Sequence, residues 1–145
     1  MIKITSAMEE GIPRILEIEQ ASISPPWTHG ALLSEIYRDD SLFALAVEDN
    51  VVIGFCILRR MADEGELLQI AVDALARRRG VGDLLMKAAL DFARAIPLRA
   101  VYLEVRAGND AAIALYKTHG FTRTGARKDY YTQPVEDAVI MTREI

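Results

Sequence analysis

Cysteine occurs once in the 145 residues, at Cys56, so an internal disulfide is excluded and a reducing cytoplasm is the expected compartment. The thiol lies in the apolar run Val51 to Leu58, the setting of a buried side chain; as a nucleophile it would need a histidine beside it. Histidine is nearly as scarce. His29 and His119 share no metal-ligand spacing with acidic or cysteine partners, and no metal is expected. Positive charge is in deficit, with 17 Lys and Arg against 21 Asp and Glu. The resulting net charge of -4 argues against nucleic acid as the main partner, because that affinity rests on neutralising phosphates. No apolar run approaches the ~20 residues of a membrane span. The start, Met1 to Thr5, lacks the apolar core of a signal peptide, so no membrane partner is expected. Low-complexity tracts, internal repeats and a dividing linker are absent as well.

What is there is an ordinary globule, 51% hydrophobic and 26% charged, with the length of one domain spanning 1–145. Ile2-Lys3-Ile4 alternates like a strand. Glu9 to Gln20 reads as a helix with Pro13 in its first turn, and Thr28 as the N-cap of a second helix through Tyr37. Leu42 to Glu48 and Val51 to Arg59 form two strands around the turn pair Asp49-Asn50. A strand from Leu67 to Val72 leads to the clearest helix, Asp83 to Ile96, where Leu84, Ala88 and Phe92 recur four apart. Ala100 to Arg106 is a strand. Asn109 to Thr118 is a helix closed by Gly120, and Phe121 to Thr124 and Ala138 to Thr142 are closing strands. The crossover from Leu67 to Arg106 has the length of a βαβ unit, which makes those two strands parallel neighbours. Hairpins flank them. The pattern is an α/β fold with a mixed sheet and helices on both faces, and a loop-helix junction at the carboxyl end of a central strand, where open sheets bind ligands.

That junction reads Arg77-Arg78-Arg79-Gly80-Val81-Gly82-Asp83. Glycines there let the backbone approach a ligand and turn its N–H groups towards it. The helix start adds a partial positive charge worth about 0.3–2 kcal/mol to a nearby anion. Three arginines add full charge and paired donors suited to phosphate. The Lys-Ser/Thr pair of a P-loop and the third glycine of a dinucleotide fingerprint are missing, so ATP and NAD are disfavoured. A diphosphate without a reactive phosphoryl group fits better; a basic turn before a helix is the plainer alternative.

With Arg77, Gly80 and Gly82 in place of Q/R-x-x-G-x-G/A, the chain resembles the GCN5-related N-acetyltransferases, the GNAT family. The likeness continues through Leu68-Gln69-Ile70-Ala71-Val72-Asp73, through Leu103 to Tyr116, and into Gly120-Phe121. Lys128-Asp129-Tyr130-Tyr131 with Glu136-Asp137-Ala138 is similar to the tail of one branch, the RimI-like ribosomal-protein alanine N-acetyltransferases. The resemblance implies a mixed, mostly antiparallel sheet with a central parallel strand pair. It also implies acetyl-CoA as cosubstrate, with the pyrophosphate on Arg77, Arg78, Arg79, Gly80, Val81, Gly82 and Asp83 and the pantetheine along Ile70, Ala71 and Val72. Asn109, with Ala112 on the same helix face, matches a further cofactor contact.

Glu104 sits amid Val101, Leu103 and Val105, where a carboxylate needs a partner or a purpose. An ion pair with Arg106 or a surface arginine would supply the partner. The resemblance supplies the purpose, a general base, since an α-amine with pKa near 8 is mostly protonated at neutral pH. Tyr116 shares a helix face with Asn109, Ala112 and Ile113; it is a core aromatic by its spacing and the general acid by the resemblance. Trp27, Tyr130 and Tyr131 are candidates for an acceptor groove, and Trp27 equally for a hydrophobic staple ahead of Thr28. Asp129 stands where many RimI-like relatives carry Asn, which leaves the peptide preference open. The expected activity is direct transfer of acetyl to the α-amine of a protein N-terminus, an N-terminal alanine of a ribosomal protein in that branch, without an acetyl-enzyme. The rival expectations are acetylation of a small amine (polyamine, amino acid or aminoglycoside) and a non-catalytic acetyl-CoA-binding module.

Overall fold

A computed structural model describes residues 1–145. Seven strands, β1 (Ile2–Ser6), β2 (Ser41–Glu48), β3 (Val51–Met61), β4 (Glu64–Val72), β5 (Ala100–Arg106), β6 (Thr122–Tyr131) and β7 (Glu136–Glu144), form one sheet in the order β1-β2-β3-β4-β5-β7-β6. Only β4 and β5 are parallel; every other pair is antiparallel. Four helices cover it: α1 (Ile12–Ser22), α2 (His29–Ile36), α3 (Val81–Ala95) and α4 (Asp110–Thr118). No helix is long and apolar enough to cross a membrane.

The helices divide by face, because side chains alternate along each strand. Leu85, Met86, Ala89 and Ala93 of α3 pack with Cys56, Leu58, Leu67 and Leu103. Ile15 and Ile18 of α1 and Leu32 of α2 pack with Phe43, Leu45, Phe55 and Ile57 on the opposite face. The mixed, mostly antiparallel sheet with helices on both faces is the architecture that the resemblance implies. Cys56 is fully buried and its thiol is pushed up to about 12 by burial, which leaves it inert as a nucleophile. At Gly54 a Cβ would lie 2.9 Å from the Ala71 carbonyl and 3.2 Å from Leu85, so α3 seats on β3 only over a glycine.

Several boundaries differ from expectation, for physical reasons. Asp49 and Asn50 do adopt positive φ, 52° and 63°, as a two-residue hairpin turn requires. α1 begins at Ile12 after a separate 3₁₀ turn, Glu9–Gly11, and α3 begins at Val81 rather than Asp83. β6 continues to Tyr131, well beyond Thr124. It is an edge strand exposed along nearly its whole length, so its sequence has no apolar alternation to betray it. The largest correction concerns the parallel pair. β4 and β5 pair only through Glu64↔Ala100, Gly65↔Val101 and Glu66↔Tyr102. The stretch Leu67 to Val72, read as the neighbour of β5, pairs with β3 alone.

Because α3 is the element that closes one whole face, truncating it at its centre should be costly. Leu85→Ala is expected to lose about 2–5 kcal/mol, read from the shift of the urea unfolding midpoint at unchanged slope.

Candidate active site

Beyond Glu66 and Tyr102 the two parallel strands part, and the gap opens into a cleft of about 1380 Å³ that crosses the molecule. A drug-sized ligand needs roughly 300–1,000 Å³, so this cleft has room for a long ligand and a second reactant. Ile70, Ala71 and Val72 line it along the freed edge of β4. A bulge on β4 at Leu68, where the register with β3 slips between Ile57 and Leu58, falls at the point of parting.

One end is built for an anion. Gly80 has φ of 79°, a left-handed conformation that glycine takes without strain, and its carbonyl starts α3 by accepting from Leu84 N at 3.1 Å. The N–H groups of Val81, Gly82 and Asp83 precede the first intrahelical bond and are left for a ligand. Arg77, Arg78, Gly80, Val81, Gly82 and Asp83 all line this end. Arg79 does not. Its guanidinium turns outward to Glu48 of β2, at 2.9 Å, so the side chain does not reach the phosphate site expected of it. Asp83 is held by the ring of His119, 2.8 Å away, which ties the start of α3 to the end of α4.

α4 borders the middle of the cleft. Asn109 caps the helix, accepting from Ala112 N at 3.2 Å, and Asn109, Ala112 and Tyr116 all line the cleft. Tyr116 is 7% exposed and packs on Phe121 at 6.0 Å between ring centroids, the core aromatic expected from its spacing. Burial, with a smaller contribution from Tyr131, pushes its phenol well above the ordinary value and keeps it a proton donor.

The other end carries carboxylates and aromatics. Leu103 and Val105 belong to the α3 core, so Glu104 between them faces the α1–α2 side. Its side chain is 13% exposed, with Oε2 3.2 Å from Arg127 Nε, yet that oxygen is buried without a hydrogen bond. The surface arginine anticipated as a partner is thus Arg127, itself 57% exposed. Glu66, outside the strand expected from sequence, lines the same end; burial and then the charge of Glu104 raise its pKa. Tyr130 and Tyr131 meet edge to face at 5.1 Å, and burial pushes the Tyr131 phenol up to about 12. Trp27 lines the cleft and also packs against the cluster that holds Leu32.

Trp27 is fixed by Glu19, a fully buried residue of the first helix whose hold on Trp27 the helical spacing does not reveal. Its Oε2 accepts from Trp27 N at 2.9 Å and from Gln69 Nε2 at 3.0 Å, whereas Glu19 Oε1 and Gln69 Oε1 have no partner. A charge there is uncompensated, and burial raises the carboxyl's pKa. A proton on Oε1 removes the charge and adds the one donor the pair lacks.

The sequence profile described as the Acetyltransferase (GNAT) family matches residues 12–121. The chain belongs to that family. Within it the chain is RimI-like. The [ribosomal protein bS18]-alanine N-acetyltransferase of Escherichia coli K12 is 34% identical over 147 residues, covering 100% of this chain and 99% of that one. The crystal structure of the ribosomal-protein-S18-alanine N-acetyltransferase from E. coli superposes with a TM-score of 0.91 at 33% identity, covering 100% of this chain and 94% of that one. Ard1 from Thermoplasma volcanium gives 0.92 at 31% identity, covering 99% and 97%. The GNAT fold extends to the PaiA N-acetyltransferase from Thermoplasma acidophilum, solved in complex with coenzyme A, with a TM-score of 0.83 at 20% identity over 100% and 99% of the two chains. As a GNAT protein the chain is an N-acetyltransferase.

The Glu19 pair makes a pH-dependent prediction. A carboxyl raised in the folded state contributes its full stability below the unfolded value of about 4.3 and loses it as pH rises through the folded value. Glu19→Gln, which carries the missing donor at every pH, should match the wild type in acid and exceed it progressively towards alkaline pH. Parallel curves of unfolding midpoint against pH would show that Glu19 is charged throughout.

Proposed function

We propose that this chain transfers the acetyl group of acetyl-CoA to the α-amine of a protein N-terminus, an N-terminal alanine of a ribosomal protein being the acceptor its relatives suggest. The carrying observation is a single cleft with an anion-binding helix start at one end and Glu104, Tyr116 and three aromatics towards the other. The residues around the helix start fit a pyrophosphate: three free N–H groups, Arg77 and Arg78, and no side chain on Gly80 or Gly82. The freed edge of β4 offers amide partners to a pantetheine chain, and the cleft is long enough to hold it.

In this reading Glu104 takes a proton from the incoming ammonium, through the oxygen that has no hydrogen bond of its own. The free amine then attacks the thioester carbon, and the C–S bond breaks as Tyr116 donates to the departing sulfur. The second proton, shed by the new amide nitrogen, restores Tyr116 through solvent, and Glu104 releases its proton to solvent afterwards. A backbone N–H on the Ile70–Val72 edge stabilises the charge that develops on the carbonyl oxygen. An α-amine suits this site better than lysine, whose higher pKa makes deprotonation about 3 kcal/mol harder at neutral pH. The rim of Trp27, Tyr130 and Tyr131 suits an extended peptide end better than a highly charged polyamine.

Glu104→Gln should lower turnover by roughly 10²–10⁴ with coenzyme affinity unchanged, and raising the pH should partly restore it because solvent then supplies free amine. Tyr116→Phe should lose rate without that rescue. Gly82→Glu, which adds bulk against Leu115 and a negative charge at the helix start, should abolish coenzyme binding by calorimetry.

The acceptor is tested with one peptide carrying a free N-terminal alanine and an internal lysine, offered beside its N-terminally blocked form and spermidine. Mass spectrometry should place the acetyl on the first residue and find the blocked peptide inert. Faster modification of lysine or spermidine would replace the acceptor and leave the acetyltransferase standing.

A further inference from the structure

Arg106 lies two residues beyond Glu104 on the same face of β5, yet its guanidinium does not turn to that carboxylate. Nη1 donates to the carbonyl of Pro134 at 2.8 Å and to Glu136 Oε1 at 3.2 Å. Nη2 donates to the carbonyls of Ser24 at 2.6 Å and Thr132 at 2.7 Å. Four hydrogen bonds use its two Nη atoms, and its guanidinium carbon stands 4.6 Å from the centre of the Tyr131 ring. Ser24 belongs to the connection between α1 and α2; Thr132 and Pro134 belong to the turn between β6 and β7. The two loops also meet directly, Ser24 Oγ donating to the Gln133 carbonyl at 2.6 Å. Glu136 extends the tie, since its Oε2 accepts from Gly108 N at 2.7 Å just ahead of α4.

From this geometry we infer that Arg106 is a positioning residue for the acceptor, a latch that joins the two loops forming the acceptor end of the cleft. Ser24, Pro25 and Trp27 from one loop, and Thr132 of the other with Tyr131 at the end of β6, line that end. Neither loop has regular secondary structure to hold it, and three of their carbonyls converge on a single side chain. The latch fixes the spacing between Trp27 and Tyr131 and therefore the width available to an incoming chain end. It also has a second effect on the base. A guanidinium consumed by three carbonyls and Glu136 is withdrawn from Glu104, whose Oε2 stays without a hydrogen bond. Lysine cannot substitute, because a point ammonium with three donors neither spans both loops nor stacks on an aromatic face. The effect on acceptor use rests on the acetyl-transfer reading above; the joining of the loops does not.

The test has two independent readouts. Steady-state kinetics on the N-terminal peptide compare wild type, Arg106→Lys and Arg106→Gly, while calorimetry follows coenzyme A affinity. Arg106→Lys should raise the peptide KM about ten-fold or more, with a smaller change in kcat and unchanged coenzyme affinity. Methylguanidinium should restore the KM of Arg106→Gly, and lysine at the position should not. An unchanged peptide KM in Arg106→Lys, or an equal loss of coenzyme affinity, overturns the inference. The second readout needs no acceptor: amide hydrogen exchange of residues 23–28 and 132–135 should quicken in Arg106→Lys. Unchanged protection there sinks the latch whatever the substrate proves to be, whereas quickened exchange in a protein inert on every peptide leaves the latch standing and removes the proposed acceptor. Should the Arg106 variants not fold, Ser24→Ala breaks only the direct loop-to-loop bond. It should quicken exchange in both loops together, and quickening confined to one loop, or none, counts against the inference.

Discussion

Strands β4 and β5 agree over Glu64–Glu66 and Ala100–Tyr102 and then diverge, and the rest of the molecule is arranged around that divergence. A parallel pair inside a sheet ordinarily satisfies its backbone groups along its whole length, because a buried unpaired N–H or C=O is expensive. Here six residues of β4, Leu67 to Val72, keep one hydrogen-bonded neighbour and forgo the other. The gap is tolerable because it opens onto solvent and is wide enough to be filled by a ligand. The outer pairs hold the two halves apart: β3 on one side of the gap stays paired with β4 around the single bulge at Leu68, and β7 on the other stays paired with β5 along its length. α3 crosses behind and packs on both strands through Leu67 and Leu103, so the parted strands share one core although they no longer share hydrogen bonds.

The cleft that results has two electrostatic ends, and this division matters more than the net charge. The helix start with Arg77 and Arg78 makes one end positive, and Glu66 and Glu104 set carboxyls at the other. Arginines elsewhere are spent so as to keep the ends distinct. Arg79 neutralises Glu48 outside the cleft, Arg106 is consumed by loop carbonyls, and Arg14 is engaged with Asp73 and Val52. Arg127 alone stands near Glu104, and it is largely exposed, so solvent weakens its hold on that carboxylate. A reaction between a phosphorylated acyl donor and an ammonium needs both attractions in one channel without their neutralising one another.

What could be read from sequence was whatever is specified locally. Gly80 and Gly82 were legible because a left-handed turn and an unobstructed helix start demand glycine at those places, independent of the rest of the fold. α3 was legible as a helix from its apolar spacing, although Leu84, Ala88 and Phe92 lie on its half-exposed flank and Leu85, Ala89 and Ala93 form the buried face. Glu104 stood out as a charge placed among Val101, Leu103 and Val105. Illegible features depend on partners far along the chain or on the absence of a core face. β6 has no buried side to impose a period, so its extension to Tyr131 leaves no trace. Three consecutive arginines carry no directional information, and the outward turn of Arg79 is fixed by Glu48 on another strand. Glu66 precedes the apolar run that marks its strand, and pairings with Arg59 of β3 and Tyr102 of β5 draw it into β4.

Arg106 is the clearest case of a role that sequence hides. Its neighbours Glu104 and Val105 suggest a local ion pair, but the carbonyl that it binds on Ser24 is 82 positions away, and backbone carbonyls have no residue identity to search for. The same logic applies to Glu19, whose partner Gln69 lies 50 positions distant across the α1–β4 interface. Both residues act on aromatics at the acceptor end, Glu19 beneath Trp27 and Arg106 against Tyr131, and neither is close enough to the chemistry to be marked by its residue type. The anion-binding end is a backbone device encoded in seven consecutive residues. The acceptor end is a side-chain device assembled from α1, β5 and two loops. A substitution at the first end strikes a ligand contact directly, whereas one at Glu19 or Arg106 acts through the loops. In the proposed reading, acceptor choice therefore changes by mutation of buried supports while the helix start stays as it is.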